Sequence, residues 1–206
     1  MAEDGSWPRI LSYGLLSTAA LLSLYGYKGS DRYKYESEWR PNKVPIGAPG
    51  LPGAVLRDQK PMPPETLAPC LTGGLSPREW YELINGKVFF WLDCEDLERF
   101  MDAKEYRNSP QLAIVLDTDR LLKQYSHKIT LCGINSGSTM SEHPPSRGRE
   151  TFRSISEYNS LYAKELCVES GISNILDMVM SVHRMIALRT DYSAPRDVKS
   201  LEQLWP

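Results

Sequence analysis

Apolar and polar positions are most regularly ordered in residues 75–92, LSPREWYELINGKVFFWL. Ser76 followed three residues later by Glu79 is the sequence of a capping box, and it predicts a helix that begins there. Gly86 is expected to end that helix. The apolar run at 88–92 then predicts a short strand covered on both faces, because a half-exposed strand would alternate with polar residues.

Shorter apolar stretches predict further strands and helices along the rest of the chain. Strands are predicted at 112–116, 129–134, 165–168 and 183–188. Helices are predicted from Ser6 to Gly14, at 19–25, after Asp93, near 117–119, and at 172–180, where Ile175, Val179 and Val182 have helical spacing. Strands and helices do not alternate strictly, which predicts an α+β fold rather than a doubly wound sheet.

Residues 10–27 lack charged side chains and just reach the length of a membrane span. Gly14 and Gly26 are natural helix stops, however, and Ser17-Thr18 is a natural restart. The residues before this segment include two acids and lack the basic region of a signal peptide. We therefore expect two short buried helices, and a membrane-anchored or secreted protein is the less favoured alternative.

The length of 206 residues favours a single domain. We assign residues 1–190 to this domain and residues 191–206 to a C-terminal tail. Residues 28–74 change from charged and tyrosine-rich to proline- and glycine-rich sequence, which predicts a long loop or insertion. Two interpretations stay open, a binding loop or lid over a site and a poorly ordered surface insertion.

Composition and charge argue against several classes of protein. The net charge of −2 provides no overall positive field for nucleic acid, so such binding would need a local basic patch. The four cysteines form no CxxC pair or His/Cys cluster. No metal site is expected, and free thiols in a cytoplasmic protein are the favoured interpretation. The sequence also lacks the phosphate-loop, GxGxxG, HExxH and GxSxG motifs.

Charged residues in unusual surroundings are the candidates for chemistry. Arg147 and Arg149, in RGRETFR, could clamp a phosphate or lie in a solvated loop. Arg57 interrupts an apolar and proline-rich stretch, and it either reaches a ligand or pairs with Asp58 or Glu65. Glu165 opens a strand that packs on the core, so its carboxylate must be exposed at an edge, paired, or held in a cleft.

A string of motifs resembles an uncharacterised, mostly bacterial family whose function is unknown. These motifs run from Trp7 to about Val182, and they are WPRILSYGLLSTAALL, LSPREWYELINGKVFFWLD, LAIVLDTDRLL, GINSG, RGRETF and ELCVESGISNILD. The order of elements is also similar to that of the DarT-type DNA ADP-ribosyltransferase toxins and, more loosely, of RNA 2′-phosphotransferases. SWPRILSYGLLS matches their first helix, Arg57 precedes an aromatic strand as their arginine does, and Glu165 opens a late strand at the position of their catalytic glutamate.

This resemblance implies an ADP-ribosyltransferase-like α+β fold with two small packed sheets and flanking short helices. The relatives begin with a strand that carries a nicotinamide-contacting histidine, and this chain begins at Met1, where that strand would lie. We therefore expect the first strand to be missing. A start codon assigned too late is the favoured explanation, and a loss of the histidine and of activity is the other. The strand at 88–92 is expected to be the central strand beside an NAD cleft.

The resemblance also implies a function, NAD-dependent ADP-ribosyl transfer with nucleic acid as acceptor. NAD would bind as substrate between the sheets, with Arg57 contacting its phosphate or ribose and Glu165 stabilising the positive charge that develops as nicotinamide leaves. The remaining implied contacts are Tyr81, Trp91 and Asn135 to NAD, and Arg147 and Arg149 to single-stranded nucleic acid. A toxin-like role would add a cognate antitoxin as partner. The alternative is a non-catalytic module on the same fold that binds a nucleotide or a protein.

Overall fold

Short helices and short strands follow one another along residues 1–189 and 195–206, the part of the chain that the computed structural model describes. The helices are α1 (Trp7–Tyr13), α2 (Thr18–Leu24), α3 (Gly29–Glu36), α4 (Pro64–Leu67), α5 (Pro77–Asn85), α6 (Cys94–Met101) and α7 (Thr118–Tyr125). The strands are β1 (Ala2–Glu3), β2 (Leu15–Leu16), β3 (Val44–Ile46), β4 (Ala54–Leu56), β5 (Lys87–Trp91), β6 (Gln111–Leu116), β7 (Ile129–Cys132), β8 (Arg153–Ser154), β9 (Glu165–Glu169), β10 (Gly171–Ile172), β11 (Val179–Leu188) and β12 (Asp197–Trp205). This mixture confirms the predicted α+β class.

The strands form two four-stranded antiparallel sheets and two ribbons. The first sheet has the strand order β1-β6-β11-β12, and the second has the order β5-β9-β7-β8. The ribbons are β2–β10 and β3–β4. Two expectations about these strands are wrong. A short first strand is present, because Ala2 of β1 pairs with Leu112 of β6. The aromatic strand β5 lies at a sheet edge, because β9 pairs with both β5 and β7 and takes the inner position.

The two faces of β9 have different surroundings. Leu166 and Val168 pack into a core that also contains Leu112 and Val182 of the first sheet. Cys167 lies on the opposite face, in a second core with α5 and β7. Successive side chains of a strand point to opposite faces, so Glu165 shares the face of Cys167. Its carboxylate therefore faces away from the core between the two sheets.

The predicted helix at 77–85 forms with its capping box. Ser76 Oγ accepts a hydrogen bond from the backbone of Glu79, whose carboxylate accepts one from the backbone of Ser76 at 2.9 Å. Asp93 caps α6 and Asp117 caps α7 in the same way, with side-chain oxygens accepting backbone N–H bonds. These three helices begin where the sequence predicts because capping bonds join residues only three apart.

The segment 28–74 contains α3, α4 and the β3–β4 ribbon rather than a continuous irregular loop. Its apolar side chains take part in the core, with Leu56, Met62 and Leu67 almost completely buried. Burial of these residues orders the proline-rich stretch, because each buried side chain offsets part of the entropy lost by fixing the chain. The segment is thus an ordered insertion, and part of it borders the site described below.

The end of the chain differs most from the sequence prediction. The helix expected at 172–180 is wrong, since these residues form the end of β10, a 3-10 turn at Ile175–Asp177 and the beginning of β11. A Cβ at Gly171 would lie 2.2 Å from the carbonyl oxygen of Leu15, so glycine permits the close pairing of β10 with β2 that prevents a helix from starting here. The expected tail also contains β12, which pairs with β11. The domain boundary placed at 190–191 lies outside the described residues.

Residues 10–27 contribute to two separate helices, as predicted. Gly14 ends α1 with a φ of 85°, a conformation that favours glycine, and Ser17 caps α2 through its side chain. Across the two described ranges of the chain, no helix combines the length and the apolar character needed to cross a membrane.

Candidate functional site

A cleft of about 990 Å³ lies between the edges of the two sheets. β1 forms one border, and β5 with the first residue of β9 forms the other. Residues 55–65 of the insertion and residues 135–138 of the loop after β7 complete the walls. Such a concave site is large enough for a nucleotide-sized ligand.

Glu165 lines the cleft and is only 4% exposed. It lies directly opposite Trp91 on β5 and Cys132 on β7. Its two carboxylate oxygens accept hydrogen bonds from the backbone N–H and the hydroxyl of Ser136, at 3.2 and 2.6 Å. Burial raises the pKa of Glu165 to about 7, and the two bonds from Ser136 oppose that rise. The carboxyl group can therefore exchange a proton near neutral pH.

Arg147 holds the loop that carries Ser136. Its guanidinium donates to the carbonyl oxygens of Ser136 at 3.1 Å, Ser138 at 3.0 Å and Pro145 at 3.3 Å. The residue is 1% exposed, and its charge lies 5.8 Å from the ring of Trp80. Arg147 was expected to contact nucleic acid, whereas in the structure its donors are turned inward to backbone carbonyls. It influences Glu165 through its charge, which lowers the pKa of the carboxyl group, and by fixing Ser136.

Arg57 lines the cleft directly after the end of β4. Its Nη1 donates to Gln111 at 2.8 Å and to Glu3 at 3.4 Å, and its guanidinium carbon lies 4.6 Å from the centroid of the Tyr106 ring. Nη2 is buried without a hydrogen-bond partner. Arg57 thus pairs with Glu3, rather than with Asp58 or Glu65, and keeps one buried donor without a partner.

Arg9 also lines the cleft, although no sequence motif pointed to it. It lies on α1, is 7% exposed, and has buried Nε and Nη1 atoms without hydrogen-bond partners. Burial lowers the pKa of Arg9, and the nearby phenol of Tyr25 opposes this effect. The sequence indicates this residue only through an arginine inside the apolar helix segment WPRIL, because a charge that is buried there must be stabilised by a partner or a ligand.

The other predicted site residues divide between the cleft and elsewhere. Trp91 and Asn135 line it, close to Glu165. Tyr81 does not, because its side chain is 2% exposed in the core and its hydroxyl donates to the carbonyl of Met62 at 2.8 Å. Arg149 lies on the surface, where it pairs with Glu79 at 3.0 Å. Among the residues described, no three His, Cys, Asp or Glu side chains come close enough together to hold a metal ion.

The fold and cleft define a mixed α+β protein with a buried carboxylate and unpaired guanidinium donors in one site. The chain belongs to a family of unknown function (DUF7002), which matches residues 1–179. This confirms the membership predicted from the motifs, and the match contains every residue that lines the cleft. No curated protein and no solved structure matches the chain.

Proposed function

We propose that this protein is an ADP-ribosyltransferase-like enzyme that uses NAD. The observation that carries the proposal is the combination, in one cleft, of the buried carboxylate of Glu165 with unpartnered guanidinium donors on Arg9 and Arg57. A dinucleotide requires cationic donors for its phosphates, and cleavage of its nicotinamide–ribose bond requires a negative group beside the ribose. The toxin-like role and the cognate antitoxin implied by the resemblance, and the cytoplasmic location inferred from the cysteines, belong to the same proposal.

In the proposed reaction, NAD lies with its phosphates toward the arginines and its nicotinamide ribose beside Glu165. The ionised carboxylate accepts a hydrogen bond from the ribose 2′-hydroxyl, and this bond strengthens as positive charge develops on the ribose. The bond between the anomeric carbon and the nicotinamide nitrogen breaks, and nicotinamide leaves with the electron pair. Trp91, directly opposite Glu165, provides an aromatic wall that limits access of water.

The transfer step joins an acceptor nucleophile to the anomeric carbon and releases its proton. A carboxyl group with a pKa near 7 is suited to accept that proton at neutral pH. We propose single-stranded nucleic acid as the acceptor. A surface depression of about 490 Å³ supports this choice, since Arg153, Tyr158 and Tyr162 line it and can contact phosphate and stack on bases. Arg149 lies on the exposed side of the same segment.

The second candidate is a nucleotide-binding module without turnover. One observation favours it, because Ser136 already donates to both oxygens of Glu165. A carboxylate whose lone pairs are engaged in this way has less capacity to accept the ribose hydroxyl. The arginines of the cleft would bind phosphates equally well in such a module.

The two candidates differ in nicotinamide release. The full chain is incubated with NAD and single-stranded DNA or RNA, and free nicotinamide is measured by chromatography beside the Glu165→Gln variant. Glu142→Gln, which changes an exposed acid of the same loop region, serves as control. The enzyme proposal expects release by the native chain and the control, with a loss of at least about a hundredfold in Glu165→Gln. Equal release by the native chain and Glu165→Gln refutes the catalytic role, and NAD binding without release identifies the binding module.

A further inference from the structure

Arg9 and Arg57 carry the buried donors of the cleft that have no partner in the chain. We propose that these two residues together bind the diphosphate of a nucleoside diphosphate moiety, in the arm of the cleft between α1 and β4. This inference builds on the proposed function, because NAD contains such a moiety. It goes further in three respects. Arg9 receives a phosphate-binding role, the ligand is oriented with its phosphates toward Arg9 and its other end toward Glu165, and nucleotides that lack nicotinamide are expected to bind.

The charge of Arg9 is uncompensated. Its guanidinium is more than nine-tenths buried, and two of its three nitrogen atoms have no hydrogen-bond partner. Within the described part of the chain, no carboxylate influences its pKa. A buried guanidinium without a counter-ion destabilises a protein, so its presence inside an apolar helix points to a bound anion.

Arg57 is compensated only in part. Its contact with Glu3 is long, at 3.4 Å, and the same carboxylate accepts a shorter bond of 2.8 Å from Lys43. One acid therefore serves two cations, while Nη2 of Arg57 remains without a partner. Glu3 belongs to β1, and the chain passes from β1 directly into α1, which carries Arg9. The excess positive charge is thus concentrated at this end of the cleft.

Several other charged residues along the cleft already have partners. Lys60 pairs with Glu105, and both Lys164 and Arg99 pair with Asp96. The buried Arg40 has its donors satisfied by the carbonyls of Arg57 and Tyr35 and by the side chain of Asn85. An incoming anion therefore gains most at Arg9 and Arg57, where it replaces no existing hydrogen bond.

The geometry favours a diphosphate attached to a nucleoside. Two planar guanidinium groups each provide a pair of N–H donors, and together they can bind two phosphoryl groups. A ligand with a single carboxylate would occupy only one of these donor pairs. The cleft that Arg9 lines also has apolar walls, which include Leu16, Leu21 and Leu56. Apolar walls beside cationic donors suit a ligand with a flat base or ribose attached to its phosphates.

The test is calorimetry on the full chain at low and at physiological salt. The probes are ADP, AMP, adenosine and inorganic pyrophosphate, and the proteins are the native chain, Arg9→Gln and Arg120→Gln, which removes an exposed arginine of α7. We expect ADP to bind more tightly than AMP or adenosine, pyrophosphate to compete with it, and Arg9→Gln to weaken ADP at least about tenfold. Arg120→Gln should leave ADP binding unchanged.

A second measurement separates binding from a structural role of Arg9. If Arg9 serves a ligand, Arg9→Gln removes an unpaired buried charge and should raise the Tm of the ligand-free protein. A lowered Tm with unchanged ADP affinity overturns the inference, as does equal affinity for ADP and adenosine. Should Arg9→Gln not fold, Arg9→Lys keeps the charge but loses the fork, and an unaltered ADP affinity in it would refute the proposal.

The outcomes also distinguish this inference from the proposed enzyme. If ADP binding depends on Arg9 but no nicotinamide is released, the diphosphate site is supported and the transferase proposal is refuted. If nicotinamide release depends on Glu165 but Arg9→Gln leaves the ADP affinity unchanged, the transferase proposal is supported and the diphosphate site is refuted.

Discussion

Ser136 donates its backbone N–H and its hydroxyl to opposite oxygens of Glu165, at 3.2 and 2.6 Å. Hydrogen bonds to a carboxylate stabilise its ionised form, and here they act against the desolvation that burial imposes on Glu165. After burial, the neighbouring serine is therefore the largest influence on the protonation state of the candidate catalytic residue. That serine is in turn fixed by the guanidinium of Arg147.

Ser136→Ala should raise the pKa of Glu165 above its value in the native chain. The substitution removes the shorter of the two hydrogen bonds and leaves the burial unchanged. NMR titration of the glutamate side-chain carbons measures the shift, with Ser156→Ala, an exposed hydroxyl, as control. A pKa equal to that of the native chain would show that the hydroxyl contributes nothing to the ionised state.

The stability of the ligand-free protein should fall as pH rises from 4.5 to about 7. Glu165 has an ordinary pKa of 4.5 when unfolded and a folded pKa of about 7, so the folded state binds more protons across this interval. The stability contribution is complete below pH 4.5 and is lost as pH rises through 7, with a total of roughly 3 kcal/mol. Urea unfolding at pH 4.5 and at pH 7 measures the free energy of unfolding of the native chain and of Glu165→Gln. The variant should lack this part of the pH dependence. Identical pH profiles would contradict the raised pKa.

Arg147→Gln should destabilise the fold, whereas Arg149→Gln should leave it unchanged. The first substitution deprives buried carbonyls of charged donors and costs about 2–4 kcal/mol. The second removes an exposed ion pair with Glu79, an interaction that contributes little in water. Urea unfolding of both variants provides the comparison. Equal midpoints for the pair would mean that Arg147 does not hold the loop of Ser136.

Glu3→Gln should strengthen the binding of ADP by about three- to tenfold at low salt. Loss of this carboxylate releases Lys43 and Arg57 from their shared partner and increases the positive charge of the cleft. Calorimetry measures the affinity, and Asp4→Asn is the matched control because Asp4 pairs with Arg184 outside the cleft. The gain should shrink as salt is added. An unchanged or weaker affinity in Glu3→Gln would contradict the charge distribution described above.

The sequence was sufficient for elements whose signals are local. The capping bonds of Ser76, Asp93 and Asp117 involve residues three positions away, so three helix starts could be located without tertiary information. The continuous apolar run at 112–116 and the run opened by Glu165 also became strands, as expected.

Elements that depend on distant partners could not be assigned in this way. Ile175, Val179 and Val182 have helical spacing, but Ile175 fills the core from a 3-10 turn and Val182 does so from a strand. The strand β12 is mostly exposed and gains its conformation from pairing with β11, so the polar sequence at 197–203 carried no periodic signal.

The same limit applies to the site. Composition does not distinguish Trp91, which lines the cleft, from Tyr81, which is buried in the core. Arg147 and Arg149 are two residues apart, yet one faces inward and the other faces solvent. The direction of a side chain in an irregular loop is set by the carbonyls it meets, and those belong to residues elsewhere in the chain.

The contact between Trp7 and Trp205, whose ring centroids lie 5.9 Å apart, joins the first helix to the last strand. The two ends of the described chain therefore form one cooperative unit and should not fray independently. Opening of β12 would expose Trp7 and loosen the helix on which Arg9 lies. Amide exchange in α1 and β12 should accordingly proceed with the same opening free energy, and occupancy of the cleft should slow exchange at both ends together.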